Sequence, residues 1–182
     1  MQKDKRSVLT SARKKEKARK ISVKEGAVTS AMDGFGLRYI TPYALALGAT
    51  NAHIAFLASL PGLLGNISQL FTLKLLKKYS RKRIVITSVL FQSLMWLPIM
   101  IIGILYFFFD LSSTTASIAV IISYSLLILF GALAGPAWSS WMKDILTRKN
   151  GYYFSYRNKI TTVVVLASTL LAGFILDYFQ ER

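Results

Sequence analysis

Few side chains in this sequence can do chemistry, and most of those that can lie inside long apolar runs. Asp33 and Arg38 are the acid and the base within the first such run, residues 28–50. A charge at membrane depth is costly enough to require a partner or a water-filled cavity. Five residues apart on a regular helix, the two are rotated by about 140° and do not share a face. Two readings stand: a solute- or proton-coupling role, or a helix that starts late, near Phe35, with Asp33 at the interface and Arg38 snorkelling to it.

The second run carries Ser59, Gly62, Asn66 and Gln69 at offsets of 0, 3, 7 and 10, which places them within an arc of roughly 80°. This helix therefore has a polar face turned to a cavity or to a neighbouring helix. Asn66 and Gln69 are candidate solute contacts, and helix packing by small and polar residues is the alternative. Tyr124, in the fourth run, is a candidate hydrogen-bonding wall residue. Gly131 and Gly135 form a G-x-x-x-G read as a packing face. Pro61 is expected to bend the second run and Pro136 to break the fourth near its end.

Catalytic chemistry finds no support. The single histidine, His53, is read as a surface residue at an outer turn, and cysteine is absent. No residues have metal-ligand spacing, and no glycine-rich phosphate loop follows a strand, so neither a catalytic set nor a metal site nor a cofactor is expected. The chain is not read as an enzyme.

The elements that must position these residues follow from charge and length. Of 23 Lys and Arg, 11 fall in residues 1–38, six in 74–83 and five in 143–159. Cytoplasmic loops retain Lys and Arg, so basic blocks at alternate loops imply a multi-pass protein of the cytoplasmic membrane with its N-terminus inside. Residues 84–109 are uncharged; as a helix they measure about 39 Å against a hydrocarbon core of about 30 Å. Backbone groups in lipid must pair within the segment, so an all-α membrane protein is expected. Five spans result, at about 28–50, 52–73, 84–109, 116–141 and 160–179, with the C-terminus outside.

Residues 1–26 are polar and basic and are expected to form a partly disordered cytoplasmic tail, with 27–182 as the helical bundle. The tail is a topology signal or a surface for anionic membrane lipids. No aromatic residue interleaves its charges to stack on bases, so nucleic acid is not an expected partner.

The loop after the second run, residues 73–82, resembles the G-x-L-a-D-r-x-G-r-k loop of the major facilitator superfamily. Leu75, Lys78, Arg81 and Lys82 match, whereas Leu73 and Ser80 replace glycines and Lys77 replaces the aspartate. Residues 46–51, 57–65 and 68–70 are similar to the family's first outer turn and second helix. Residues 135–142 and 148–158, with Arg148, Gly151 and Arg157, are similar to its fourth helix and the loop that follows. The resemblance implies an N-terminal facilitator bundle ending after the fifth helix, in which Leu75, Lys78, Arg81 and Lys82 form a cytoplasmic gating loop. It further implies part of a secondary active transporter of a small solute by alternating access, inactive alone and completed by further helices or by a partner chain. The alternative is a non-transporting membrane scaffold that docks a partner or anionic lipid through its basic loops.

Overall fold

The computed structural model describes residues 2–145 and 150–180, which are helical with short turns and contain no strand. The helices are α1 (Gln2–Phe35), α2 (Ile40–Ala46), α3 (Asn51–Lys78), α4 (Arg81–Leu94), α5 (Trp96–Phe108), α6 (Ser113–Ile145) and α7 (Asn150–Gln180), with a 3-10 turn at Leu37–Tyr39. Among the described residues, four stretches are long and apolar enough to cross a membrane: Asn51–Lys78, Arg81–Phe108, Ser113–Ile145 and Gly151–Phe179. Their most apolar windows are only 11% to 33% buried, and Phe56, Leu70, Phe108, Leu166 and Phe174 are among the large side chains left exposed. Such a surface is incompatible with water and matches the apolar solvent of a bilayer. The chain is therefore a multi-pass membrane protein.

The first expected span is not among the four. Residues 28–50 are divided into the end of α1, the 3-10 turn and α2. Proline explains the division, because its ring clashes with the carbonyl four residues back and is tolerated in a helix's first turn. Pro42 is the third residue of α2. Pro98 is likewise the third residue of α5, and its i−4 neighbour Leu94 is where α4 ends; the run 84–109 is thus two helices joined at Met95. Pro136 does not produce the expected break, since α6 continues through it to Ile145. Pro61 also lies within continuous helix.

The segment expected as a partly disordered tail is helical and runs without interruption through residue 26. Ala, Lys, Arg and Glu are strong helix formers. Glu16 and Lys20 add an i,i+4 ion pair at 3.0 Å on an exposed face, and the hydrogen bond from Lys20 holds the Glu16 carboxyl below its ordinary range.

The chain forms two units, one of α1, the 3-10 turn and α7, the other running from Thr41 to Met142. In the first, α1 and α7 lie side by side and parallel. Ser22 and Gly26 meet Arg157, Gly34 meets Ser168, and Tyr39 meets Thr169 and Gly173, a separation that stays near 130–135 residues along the contact. The basic starts of both helices are therefore at one end.

In the second unit, α3 and α6 are also parallel. Ser68 Oγ donates to the Leu129 carbonyl at 3.3 Å and Thr72 Oγ1 to the Leu133 carbonyl at 3.2 Å, both 61 residues away. Gly65 allows the approach: a Cβ there would stand 3.2 Å from Ile128 and 3.6 Å from Ala132. Small residues with hydroxyl-to-carbonyl bonds are how helices associate where lipid offers no hydrophobic drive, at about 0.6 kcal/mol per bond.

One device occurs in both units. Tyr39 Oη donates to the Thr169 carbonyl at 2.7 Å, and Tyr43 Oη to the Ile99 carbonyl at 2.6 Å. In each case the residue one turn beyond the acceptor is glycine, Gly173 and Gly103. A missing Cβ there uncovers the carbonyl; an added one would meet the tyrosine oxygen at 3.0 and 2.6 Å.

Candidate functional site

Helix α3 presents two different faces. Leu57, Pro61, Gly65, Ser68 and Thr72 are buried, a stripe of spacing four, four, three and four that fits one side of a helix. Ser59, Gly62, Asn66 and Gln69 are all exposed. A Cβ on Gly62 would meet nothing within 4 Å, and neither side-chain amide has a hydrogen-bond partner among the described residues. These four positions thus share an uncovered face, while packing belongs to the adjacent stripe. Tyr124 on α6 is half-buried and has a partner.

Asp33 and Arg38 sit in the other unit, on either side of the helix break. Asp33 is half-buried near the end of α1 and Arg38 is exposed in the 3-10 turn. The late helix start expected near Phe35 is not what forms: α1 ends there instead, and Gly36 leads into the 3-10 turn. Gly34 is buried directly under Ser168, where an added Cβ would stand 2.5 Å from the serine Cβ.

The basic loop is a two-residue corner between α3 and α4. Ser80 caps α4 by accepting the Arg83 N–H at 3.4 Å, which supplies a partner to an otherwise orphan donor. Tyr79 lies between two cations, Lys78 Nζ at 5.7 Å and the Arg83 guanidinium at 5.4 Å from its ring centre. Arg81 and Lys82 begin α4, and Arg81 is engaged. Leu75 faces inward, lining a cavity of about 340 Å³ with Tyr79, Arg83, Ser88, Phe91 and Phe130. Phe91 and Phe130 stack at 5.2 Å.

Of the second loop, Arg148 lies outside the described residues. Gly151 opens α7 with free space about it. Arg157 is held across the unit: Nε donates to the Ser22 carbonyl and Nη2 to Glu25 Oε2, each at 3.3 Å. Gly26 makes the room, because a Cβ there would stand 2.7 Å from the guanidinium.

Sequence reasoning missed Glu25 and Gly26 as the partners of Arg157, and the Tyr39 and Tyr43 bonds. It also missed Gln92 as the side chain covering Gly131, where a Cβ would meet its amide nitrogen at 2.7 Å. Only half of the G-x-x-x-G is a close approach, since Gly135 has nothing within 4 Å. His53 completes a reciprocal cap with Thr50: its N–H donates to Thr50 Oγ1 at 3.4 Å and its Nδ1 accepts the Thr50 N–H at 3.3 Å. Compared with protein families, curated proteins and solved structures, the chain matches none.

Proposed function

We propose that this chain forms part of a facilitator-type secondary transporter of the cytoplasmic membrane, one that moves a small solute by alternating access. The observation that carries this reading is the open polar face of α3. Asn66 and Gln69 lie on a membrane-spanning helix with their amides unpartnered. Lipid cannot satisfy such groups, so they face water, solute or another polypeptide. The adjacent stripe is already occupied by α6, so helix packing within this unit leaves the polar face available. Facilitator-type transport binds solute between helices near the midplane, where an amide donates and accepts hydrogen bonds and can orient a polar solute.

The uncovered Gly62 and Gly135 are positions where further helices of the same protein or of a partner chain would pack. The test is solute uptake by a complete, transport-competent assembly containing this segment, carrying Asn66→Leu or Gln69→Leu. Reduced uptake with an unchanged amount of folded protein supports the reading. Unchanged uptake with both variants overturns it, and loss of folded protein assigns the face to packing. A second reading, a non-transporting scaffold, is favoured by the basic α3–α4 corner and would leave uptake absent in every assembly.

A further inference from the structure

From Thr41 to Met142 the chain has six basic residues, all at positions 74–83, and one acid, Asp110. Asp110 follows α5, at the far end of the 28-residue stretch Arg81–Phe108. That distance is on the order of 40 Å, several Debye lengths at physiological salt, so it compensates nothing at the corner. Arg81 is engaged, but Lys78, Lys82 and Arg83 have no carboxylate partner among the described residues.

The local placement sharpens the imbalance. Arg81, Lys82 and Arg83 occupy the first turn of α4, which holds no acid. This is the positive end of the helix dipole, where cations are disfavoured and an anion is welcome. Beside it lies the 340 Å³ cavity, with Arg83 and Tyr79 at its basic end and Phe91, Phe130 and Leu133 as apolar walls. Its size falls within the range of small-molecule sites, about 300–1,000 Å³. Phe91 and Tyr79 are both exposed, and Phe91 belongs to a membrane-spanning stretch, so the cavity's neighbour is the bilayer. Uncompensated cations at one end and apolar walls below them match a single class of molecule.

We propose that this cavity holds one anionic phospholipid, with its phosphate on Arg83 and the α4 N-terminus and an acyl segment along Phe91 and Phe130. The basic corner then does more than set topology: it fixes a lipid of the cytoplasmic leaflet against α3, α4 and α6. This assignment does not depend on the transport reading.

The test uses the full chain purified in an uncharged detergent, with native mass spectrometry after exposure to phosphatidylglycerol or to phosphatidylcholine of the same acyl chains. One phosphatidylglycerol per chain is expected to be retained in preference to phosphatidylcholine. Arg83→Gln removes a charge-assisted contact and is expected to reduce that retention about tenfold. Lys17→Gln, on the exposed part of α1, is expected to leave it unchanged. Should Arg83→Gln fail to fold, Arg83→Lys keeps the charge but not the flat fork over Tyr79, and an intermediate loss is expected. Glycerol phosphate, which has the headgroup chemistry without chains, is expected not to compete. Equal retention of both lipids would overturn the proposal, as would an effect of Lys17→Gln as large as that of Arg83→Gln, or competition by glycerol phosphate as strong as that by lipid.

Discussion

Arg157 on α7 reaches Glu25 on α1 at 3.3 Å while its Nε donates to the Ser22 carbonyl, so one guanidinium bridges a carboxylate and a helix backbone. The arginine side chain is 17% exposed and the glutamate 49%. That asymmetry sets the cost of breaking the pair. Glu25→Gln leaves a mostly buried cation without its carboxylate, whereas Arg157→Gln leaves a carboxylate that water still reaches. We expect Glu25→Gln to be the more damaging, by roughly 1 kcal/mol in a reversible unfolding assay in detergent. The charge swap Glu25→Arg with Arg157→Glu should not restore stability, because a carboxylate at 157 would face the Ser22 carbonyl without a donor. Full recovery by the swap would show that the pair is held by charge alone.

The tyrosine and glycine pairs give a graded test of packing. Gly103→Ala places a methyl 2.6 Å from Tyr43 Oη, and Gly173→Ala places one 3.0 Å from Tyr39 Oη. Overpacking typically costs about 1–3 kcal/mol, and the lost hydrogen bond adds to it. Gly103→Ala should therefore lower the melting temperature more than Gly173→Ala. Adding Tyr43→Phe to Gly103→Ala should recover part of the loss, since the nearest ring atoms lie 3.3 Å from the new methyl. Equal effects of the two single variants would contradict the geometry.

Sidedness can be read with single cysteines, because the native chain has none. A cysteine at Ser112, between α5 and α6, is expected to be labelled only from outside. One at Tyr152, exposed in the first turn of α7, should be labelled only from the cytoplasm. Reversed labelling would refute the sidedness that the basic blocks imply.

The two faces of α3 should respond differently to substitution. Thr72→Val removes a buried hydroxyl from the Leu133 carbonyl and should destabilise by about 0.5–1.5 kcal/mol. Asn66→Leu and Gln69→Leu touch exposed positions and should stay within about 0.5 kcal/mol of the parent. Chemical denaturation of the detergent-solubilised chain distinguishes the two patterns.

Much of this arrangement is legible from the sequence. The uncharged lengths before and after the basic blocks locate α3 and α6 to within about five residues, because a membrane demands uninterrupted apolar helix. Helix α7 begins at Asn150, ten residues before its expected start, because helix continues through the polar and basic residues expected as loop. The divisions at Pro42 and Pro98 are lost in any sum over a window, since a single ring decides them. Which stripe of α3 packs is equally hidden: Ser59–Gly62–Asn66–Gln69 and Pro61–Gly65–Ser68–Thr72 are both small and polar, and only contact with α6 chooses. The Glu25–Arg157 pair joins residues 132 apart, a separation that no local period encodes. The helical α1 was in principle readable, since its Ala, Lys, Glu and Arg favour helix even where their charge suggests a solvated tail.

The most direct measurement is water access to the open face of α3 in liposomes containing an assembled transporter with this segment. Single cysteines at Asn66 and Gln69 are expected to react with a small, charged, membrane-impermeant thiol reagent. Cysteines at Ile67 and Phe71, exposed on the same helix but turned about 100–140° from Asn66, should remain unreactive because lipid covers them. Reaction at Asn66 and Gln69 as slow as at Ile67 and Phe71 would mean that no aqueous path touches this face, and would contradict the proposed role.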